Sequence, residues 1–229
     1  MNGLNCLITG ASTGIGKEIS IELSKFSDHI YITSRNIQAL EQVHDEIVKN
    51  NCKCTIVPLD LLDKNGIENL ARQIFKKDKL LDILILAAGA ITQLSPINSI
   101  NIEEAKEILN LNYFSNLRII KNFHPLLINS NNANLGIISS VRDTYKEQYW
   151  GIYQPVMSAL NELVLSYAIE NKNTKIKANI FCPKAVNTKF RENIMPGENK
   201  GLIKEPQEVA KFIVDYILKT KDSGNVIKI

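Results

Sequence analysis

Residues 9 to 16 read Thr-Gly-Ala-Ser-Thr-Gly-Ile-Gly, directly after the short apolar run Leu4-Asn5-Cys6-Leu7-Ile8 and directly before an amphipathic stretch that starts at Lys17. The order is strand, glycine turn, helix. A turn of this kind aims the N–H groups of a helix start at a phosphate, and the helix dipole adds partial positive charge there. Gly10 permits the tight turn, Gly14 lets the backbone approach a pyrophosphate, and Gly16 lets the helix pack close to the strand. Residues 10–16, with Ser12, Thr13 and Ile15 between the glycines, are the expected dinucleotide cradle; an ordinary strand-to-helix turn is the alternative. Further along, Ser34-Arg35 closes the second apolar run. An acidic side chain there would hold both ribose hydroxyls of NAD, whereas an arginine suits a 2′-phosphate. The expected cofactor is therefore NADP, with NADPH preferred over NADH. Asp60 closes the third run and could accept a hydrogen bond from the adenine amine, while Asp63 is the expected cap of the next helix.

Ser140 and Tyr153 lie thirteen residues apart, one at the end of an apolar run and the other at the start of a helical stretch. Both can face one crevice. A serine hydroxyl that holds a carbonyl oxygen, beside a tyrosine that donates a proton to it as hydride arrives, is a workable pair for carbonyl reduction. Spacing alone leaves Tyr145, Tyr149 and Tyr167 as competitors.

These residues need a scaffold that places strand ends side by side. Apolar strand candidates fall at 4–9, 29–34, 53–59, 81–87, 133–140, 176–182 and 225–229, and helix candidates at 14–26, 37–49, 64–77, 102–128, 151–171 and 206–219. Strands alternating with helices of this length imply βαβ units. The expected fold is α/β: a Rossmann-like, doubly wound parallel sheet of about seven strands in three α/β/α layers, forming one domain over 1–229. Ligands of such sheets bind beyond the carboxyl ends of the strands, where strand order reverses. The segment 188–201 shows little periodicity and is the expected mobile loop over the site.

The bulk properties narrow the class. A net charge of +3, with lysines spread along the chain, gives no basis for nucleic-acid binding. The chain lacks a run of 18 apolar residues, so a soluble, cytoplasmic protein without membrane contact is expected. Cys6 and Cys182 sit inside apolar runs and read as core residues, and Cys52 and Cys54, one residue apart, do not have the spacing of a zinc site. No metal is expected.

Taken together, Thr9-Gly10-Ala11-Ser12-Thr13-Gly14-Ile15-Gly16, Asp60, Ala87-Ala88-Gly89, Asn112, Ile138-Ser139-Ser140, Tyr153, Pro183, Thr188 and the terminal Gly224-Asn225-Val226-Ile227 occur in the order found in the short-chain dehydrogenase/reductase family. The chain resembles that family over essentially its whole length, in the compact type that includes β-ketoacyl reductases and many sugar, steroid and pterin reductases. The resemblance implies an NADP-dependent oxidoreductase acting on a small carbonyl or alcohol substrate. Gly10, Ser12, Thr13, Gly14, Ile15 and Gly16 would cradle the pyrophosphate. Arg35 would select NADP, and Asp60 with Leu61 would contact adenine. Ala88 and Gly89 would make backbone contacts on the ribose side, and Tyr153, Pro183, Val186 and Thr188 would hold the nicotinamide end. Ser140 and Tyr153 resemble the catalytic pair, and Asn112 resembles the asparagine that kinks its helix and serves a proton relay. The helices at 102–128 and 151–171 resemble those through which the family forms homodimers or homotetramers.

One departure is as informative as the match. The family places a lysine four residues after the tyrosine, one helical turn on; here Met157 stands in that place. That lysine binds the nicotinamide ribose and lowers the tyrosine pKa. A cation near an acid shifts it by roughly 1–3 units, and methionine offers neither charge nor donor. Lys184, Arg142 and Lys146 are the candidate replacements, and Lys184 or Arg142 could instead bind an anionic substrate. The family's usual Asn-Ala-Gly after the fourth strand also reads Ala87-Ala88-Gly89. A degenerate member that binds NADP with little redox activity, acting as a sensor or partner subunit, is the alternative reading.

Overall fold

The computed structural model describes residues 3–140 and 148–229. Seven strands form one parallel sheet: β1 (Leu4–Thr9), β2 (Ser27–Ser34), β3 (Lys53–Pro58), β4 (Ile83–Leu86), β5 (Ala133–Ile138), β6 (Ile176–Cys182) and β7 (Val226–Lys228), in the order β3-β2-β1-β4-β5-β6-β7. The helices are α1 (Gly14–Leu23), α2 (Ile37–Val48), α3 (Lys64–Lys77), α4 (Ile102–Leu109), α5 (Ser115–Ile128), α6 (Tyr153–Glu170), α7 (Lys189–Ile194) and α8 (Pro206–Lys219).

The near-continuous apolar strands follow from burial on both faces, as a parallel sheet requires. Period-two alternation divides them. Cys6, Ile8, Ile30, Ile32, Ile83 and Ile85 face one core with buried residues of α1, α2 and α8. Leu7, Tyr31, Leu84, Leu86, Leu135 and Ile137 face the other, with α3, α5 and α6. Each fully buried Leu or Ile is worth about 1.5–3 kcal/mol, so the two layers lock the sheet from both sides. Local signals agree with the packing. Asn36 caps α2 by accepting from the Ala39 N–H, Asp63 caps α3 by accepting from the Asn65 N–H, and Pro206 opens α8, where its missing N–H costs nothing.

The single helix expected over 102–128 is interrupted. Between α4 and α5 the chain makes one π-helical turn, Asn110–Phe114, in which the Ser115 N–H reaches back to the Asn110 carbonyl. Within the segment 188–201, expected to be a loop, Thr188 caps α7 by accepting from the Arg191 N–H, 195–199 forms neither helix nor strand, and a short 3₁₀ turn follows at Lys200–Leu202. Strand order reverses between β1 and β4, so the crevice beyond their carboxyl ends lies beside the glycine turn and the Ala87-Ala88-Gly89 segment.

Candidate active site

A cleft of about 1150 Å³ runs across this reversal point. At its floor, Gly10 and Gly14 adopt φ of +66° and +56°, which side chains rarely tolerate. A Cβ on Gly10 would lie 2.7 Å from the Ala88 backbone, and one on Gly16 would lie 2.4 Å from the Gly10 carbonyl oxygen. The glycines therefore let α1, β1 and the segment after β4 converge. Thr9 ties them: its Oγ1 accepts from the N–H groups of Ala87 and Ala88 at 3.2 and 3.3 Å. Thr13 stands at the head of α1 without capping it through its side chain, so helix-start N–H groups remain available where Gly14, Ile15 and Gly16 line the cleft. Ser12 lines it as well. This cradle fits a pyrophosphate: it is shaped so that a Cβ would fill it, and its donors are backbone N–H groups.

Arg35 follows β2, is exposed, and lines the far end of the cleft. Its neighbour Asn36 is committed to capping α2. Asp60 and the buried Leu61 line the same end; one Asp60 carboxylate oxygen accepts from the Leu62 N–H at 2.9 Å. Ala88 and Gly89 lie midway, and Pro183, Val186 and Thr188 line the opposite wall.

At the other end, Ser140 follows β5 and Tyr153 is the first residue of α6; both line the cleft. Of the competing tyrosines, Tyr149 and Tyr167 do not line it, and Tyr167 is turned to His124 with its hydroxyl 2.7 Å from Nδ1. Tyr145 lies outside the described residues, as do Arg142 and Lys146. Burial pushes the Tyr153 hydroxyl up to about 12, and the nearby Cys182 adds to the shift. Its ring lies 5.8 Å from that of Trp150 and 6.1 Å from that of Phe190, so two further aromatic rings flank it.

Met157 is 5% exposed and presents its sulfur 3.9 Å from Asn112 Nδ2. The position expected to carry a lysine is thus filled by an apolar side chain packed inward. Lys184 lines the cleft as an exposed residue, its N–H bound to the Ile229 carbonyl at 3.0 Å.

Asn112 sits inside the π turn, almost wholly buried. Its side chain grips the backbone of Ala90 twice, accepting from the N–H at 2.9 Å and donating to the carbonyl at 2.8 Å. Its own carbonyl accepts from Asn116 Nδ2 at 2.6 Å. Asn112 therefore anchors the segment after β4 to the long helix.

Sequence reasoning missed several neighbours. Gln154 donates to Ser140 Oγ at 2.8 Å, and Asn161 donates to the Ser140 carbonyl at 3.0 Å while accepting from Ser139 Oγ at 2.5 Å. Trp150, Asn116 and Leu111 also line the cleft. The available signals were proximity to Tyr153 for Gln154 and the four-residue helical step from Asn112 for Asn116. Arg191 is half-buried: it makes a bidentate pair with Glu198 at 2.7 and 2.8 Å and lies over the Trp150 ring.

The family model for the short chain dehydrogenases matches residues 5–199. The chain belongs to the short chain dehydrogenase family. A fatty acyl-CoA reductase from Acinetobacter baylyi is 28% identical over 222 residues, covering 96% of this chain and 74% of that protein. Among solved structures, a short chain dehydrogenase from Shigella flexneri complexed with NADP superposes with a TM-score of 0.91 at 22% identity, covering 100% of this chain and 97% of that one. A 7α-hydroxysteroid dehydrogenase complexed with NADH and 7-oxo glycochenodeoxycholic acid superposes with a TM-score of 0.88 at 21% identity, covering 100% and 93%. At these identities the two structures show the common fold. As a member of the family, the chain is an oxidoreductase-family protein with a nicotinamide-cofactor scaffold. Among the described residues, no helix is long and apolar enough to cross a membrane.

Proposed function

We propose that the protein is an NADP(H)-dependent oxidoreductase that moves a hydride between nicotinamide and a carbonyl or alcohol substrate, built as one dinucleotide-binding domain that assembles as a homo-oligomer. The observation that carries the reading is that a single cleft joins the glycine cradle at 10–16 to Ser140 and Tyr153. The glycine turn holds the pyrophosphate on backbone N–H groups. Arg35 sits where a 2′-phosphate would meet a fixed, forked cation; neighbours of the same fold carry either NADP or NADH, so the preference rests on this residue. Asp60 and Leu61 border the adenine, and Ala88, Gly89, Pro183, Val186 and Thr188 border the ribose and nicotinamide. When bound, the nicotinamide supplies or accepts the hydride. Tyr153 gives its proton to the substrate oxygen, and Ser140 donates a hydrogen bond to the same oxygen. Asn112 keeps the segment after β4 in place through Ala90. Trp150, Phe190 and Ile194 border the substrate end, which favours apolar carbonyl compounds. With Arg191 paired to Glu198, an anionic substrate is less well served.

The inward-packed Met157 supports a second reading, in which the protein binds NADP but catalyses little. Titration of the purified protein with NADPH and NADH, read by Trp150 and nucleotide fluorescence, followed by NADPH oxidation with aliphatic and aromatic aldehydes and ketones, separates the two. Preferential NADPH binding with turnover supports the reductase. Preferential binding without turnover supports the second reading, and no binding of either nucleotide overturns both.

A further inference from the structure

We infer that Gln154 is a positioning residue that fixes Ser140 as a hydrogen-bond donor to the substrate oxygen. Ser140 Oγ accepts from Gln154 Nε2 at 2.8 Å. A hydroxyl has one proton and two lone pairs; once a lone pair is occupied by the amide N–H, the proton is left to point elsewhere, and Ser140 lines the cleft. A second clamp prevents the serine from turning away, because Asn161 Nδ2 holds the Ser140 carbonyl at 3.0 Å and Asn161 Oδ1 holds Ser139 Oγ at 2.5 Å. Both clamping residues come from α6, the helix that also begins with Tyr153. The element that carries the acid tyrosine therefore also clamps the donor serine, which follows β5.

The other end of the same amide is unusual. Gln154 is 7% exposed and lines the cleft, yet its Oε1 has no hydrogen-bond partner among the described residues. An unmade bond to a buried carbonyl is costly, so a residue chosen only for packing would be apolar here. The alternative amide orientation would turn Oε1 on the Ser140 hydroxyl and consume the proton the substrate needs. The bond thus places an N–H donor of Gln154 against the side chain at position 140, and that donor is measurable without any substrate.

The catalytic consequence rests on the reductase reading; the hydrogen-bond direction does not. The test uses Ser140→Cys in the full-length protein, with the pKa of the introduced thiol read from the pH dependence of its alkylation by iodoacetamide, followed by mass spectrometry at residue 140. An amide N–H donating to a thiolate stabilises it, so adding Gln154→Leu should raise that pKa by about one unit. Adding Gln154→Glu should raise it further, since a carboxylate opposes a neighbouring thiolate. Unchanged circular dichroism and melting show that each variant is folded, and the Glu variant keeps the side chain's size if Leu does not fold. A pKa that falls or stays constant on Gln154→Leu overturns the inference. In the otherwise native protein, Gln154→Glu should lower kcat for carbonyl reduction with little change in the KM for NADPH, and activity should recover as pH falls through the new carboxyl's range. If the thiol shift appears while the native protein reduces no carbonyl, the reductase reading fails and the placement of Gln154 stands.

Discussion

Tyr153 and Met157 lie one helical turn apart on α6, and no charged side chain stands at position 157, where the resemblance to the family implies a lysine. Burial, with a smaller contribution from Cys182, sets the Tyr153 hydroxyl at about 12, so it is protonated throughout the range in which proteins are assayed. The sign of the pH dependence follows. Carbonyl reduction needs the protonated form and should be flat in Tyr153 from neutral pH to about pH 10. Alcohol oxidation needs the tyrosinate and should rise about tenfold per pH unit over the same range. Initial rates in both directions between pH 7 and 10.5 check this, and an oxidation rate that levels off near pH 8 would mean that another cation has replaced the lysine. Restoring the charge tests the cause. Met157→Lys should bring the hydroxyl down by roughly 1–3 units and raise alcohol oxidation near pH 8 by about 10–10³-fold, with the break in the pH profile moving by the same interval. A gain in rate without a shifted profile would assign the lysine's benefit to ribose binding alone.

At the level of elements, α1 depends on two glycines for different reasons. Gly10 serves a positive φ, whereas Gly16 serves proximity, because its missing Cβ would press on the Gly10 carbonyl at 2.4 Å. Gly16→Ala must therefore push α1 off the turn. It should lower stability by about 1–3 kcal/mol, as overpacking does, and abolish nucleotide binding even at temperatures where the variant is fully folded. Denaturant unfolding and NADPH titration of the same sample measure both effects; intact binding would show that the cradle tolerates displacement. The βα punctuation of this region was legible in the sequence because the glycines, the apolar runs and the amphipathic stretches repeat one local code. The periodicity of 102–128 stays helical throughout and does not mark the π turn at Asn110–Phe114; only the resemblance, which makes Asn112 the asparagine that kinks its helix, points there, and the grip of Asn112 on Ala90 is a tertiary contact. Helix α7 was not legible: its order comes from the Thr188 cap and from Arg191 pairing with Glu198 seven residues on, a contact no hydrophobic period encodes. Spacing alone could not set Tyr167 apart from Tyr153, because what turns Tyr167 from the cleft is a bond to His124 across two helices. Gln154 escaped for a similar reason, its partner Ser140 lying fourteen residues back at a strand end.

For the whole molecule, the cleft lies where the two halves of the sheet diverge and is lined by the segments that follow β1, β2, β3, β4, β5 and β6, so a dinucleotide bound there would touch all six. A group that bridges so many elements binds the native chain and has little to bind in the unfolded one. Its binding free energy then appears directly as stability. At a free NADPH concentration one hundred times Kd, the native state gains about 2.7 kcal/mol. Each kcal/mol moves the Tm of a chain of this size by about 2–4 °C. A rise of about 5–11 °C is therefore expected with NADPH, and a clearly smaller one with NADH at the same concentration. Arg35→Ala sharpens the comparison. It removes a charge-assisted contact worth about 1.5–3 kcal/mol from the 2′-phosphate alone, so the NADPH shift should fall to the level of NADH while the NADH shift and the ligand-free Tm stay unchanged. Thermal melts of the two proteins with each nucleotide and without either supply the six values needed. Equal losses for both nucleotides would place Arg35 outside the phosphate site and remove the basis for the NADP preference.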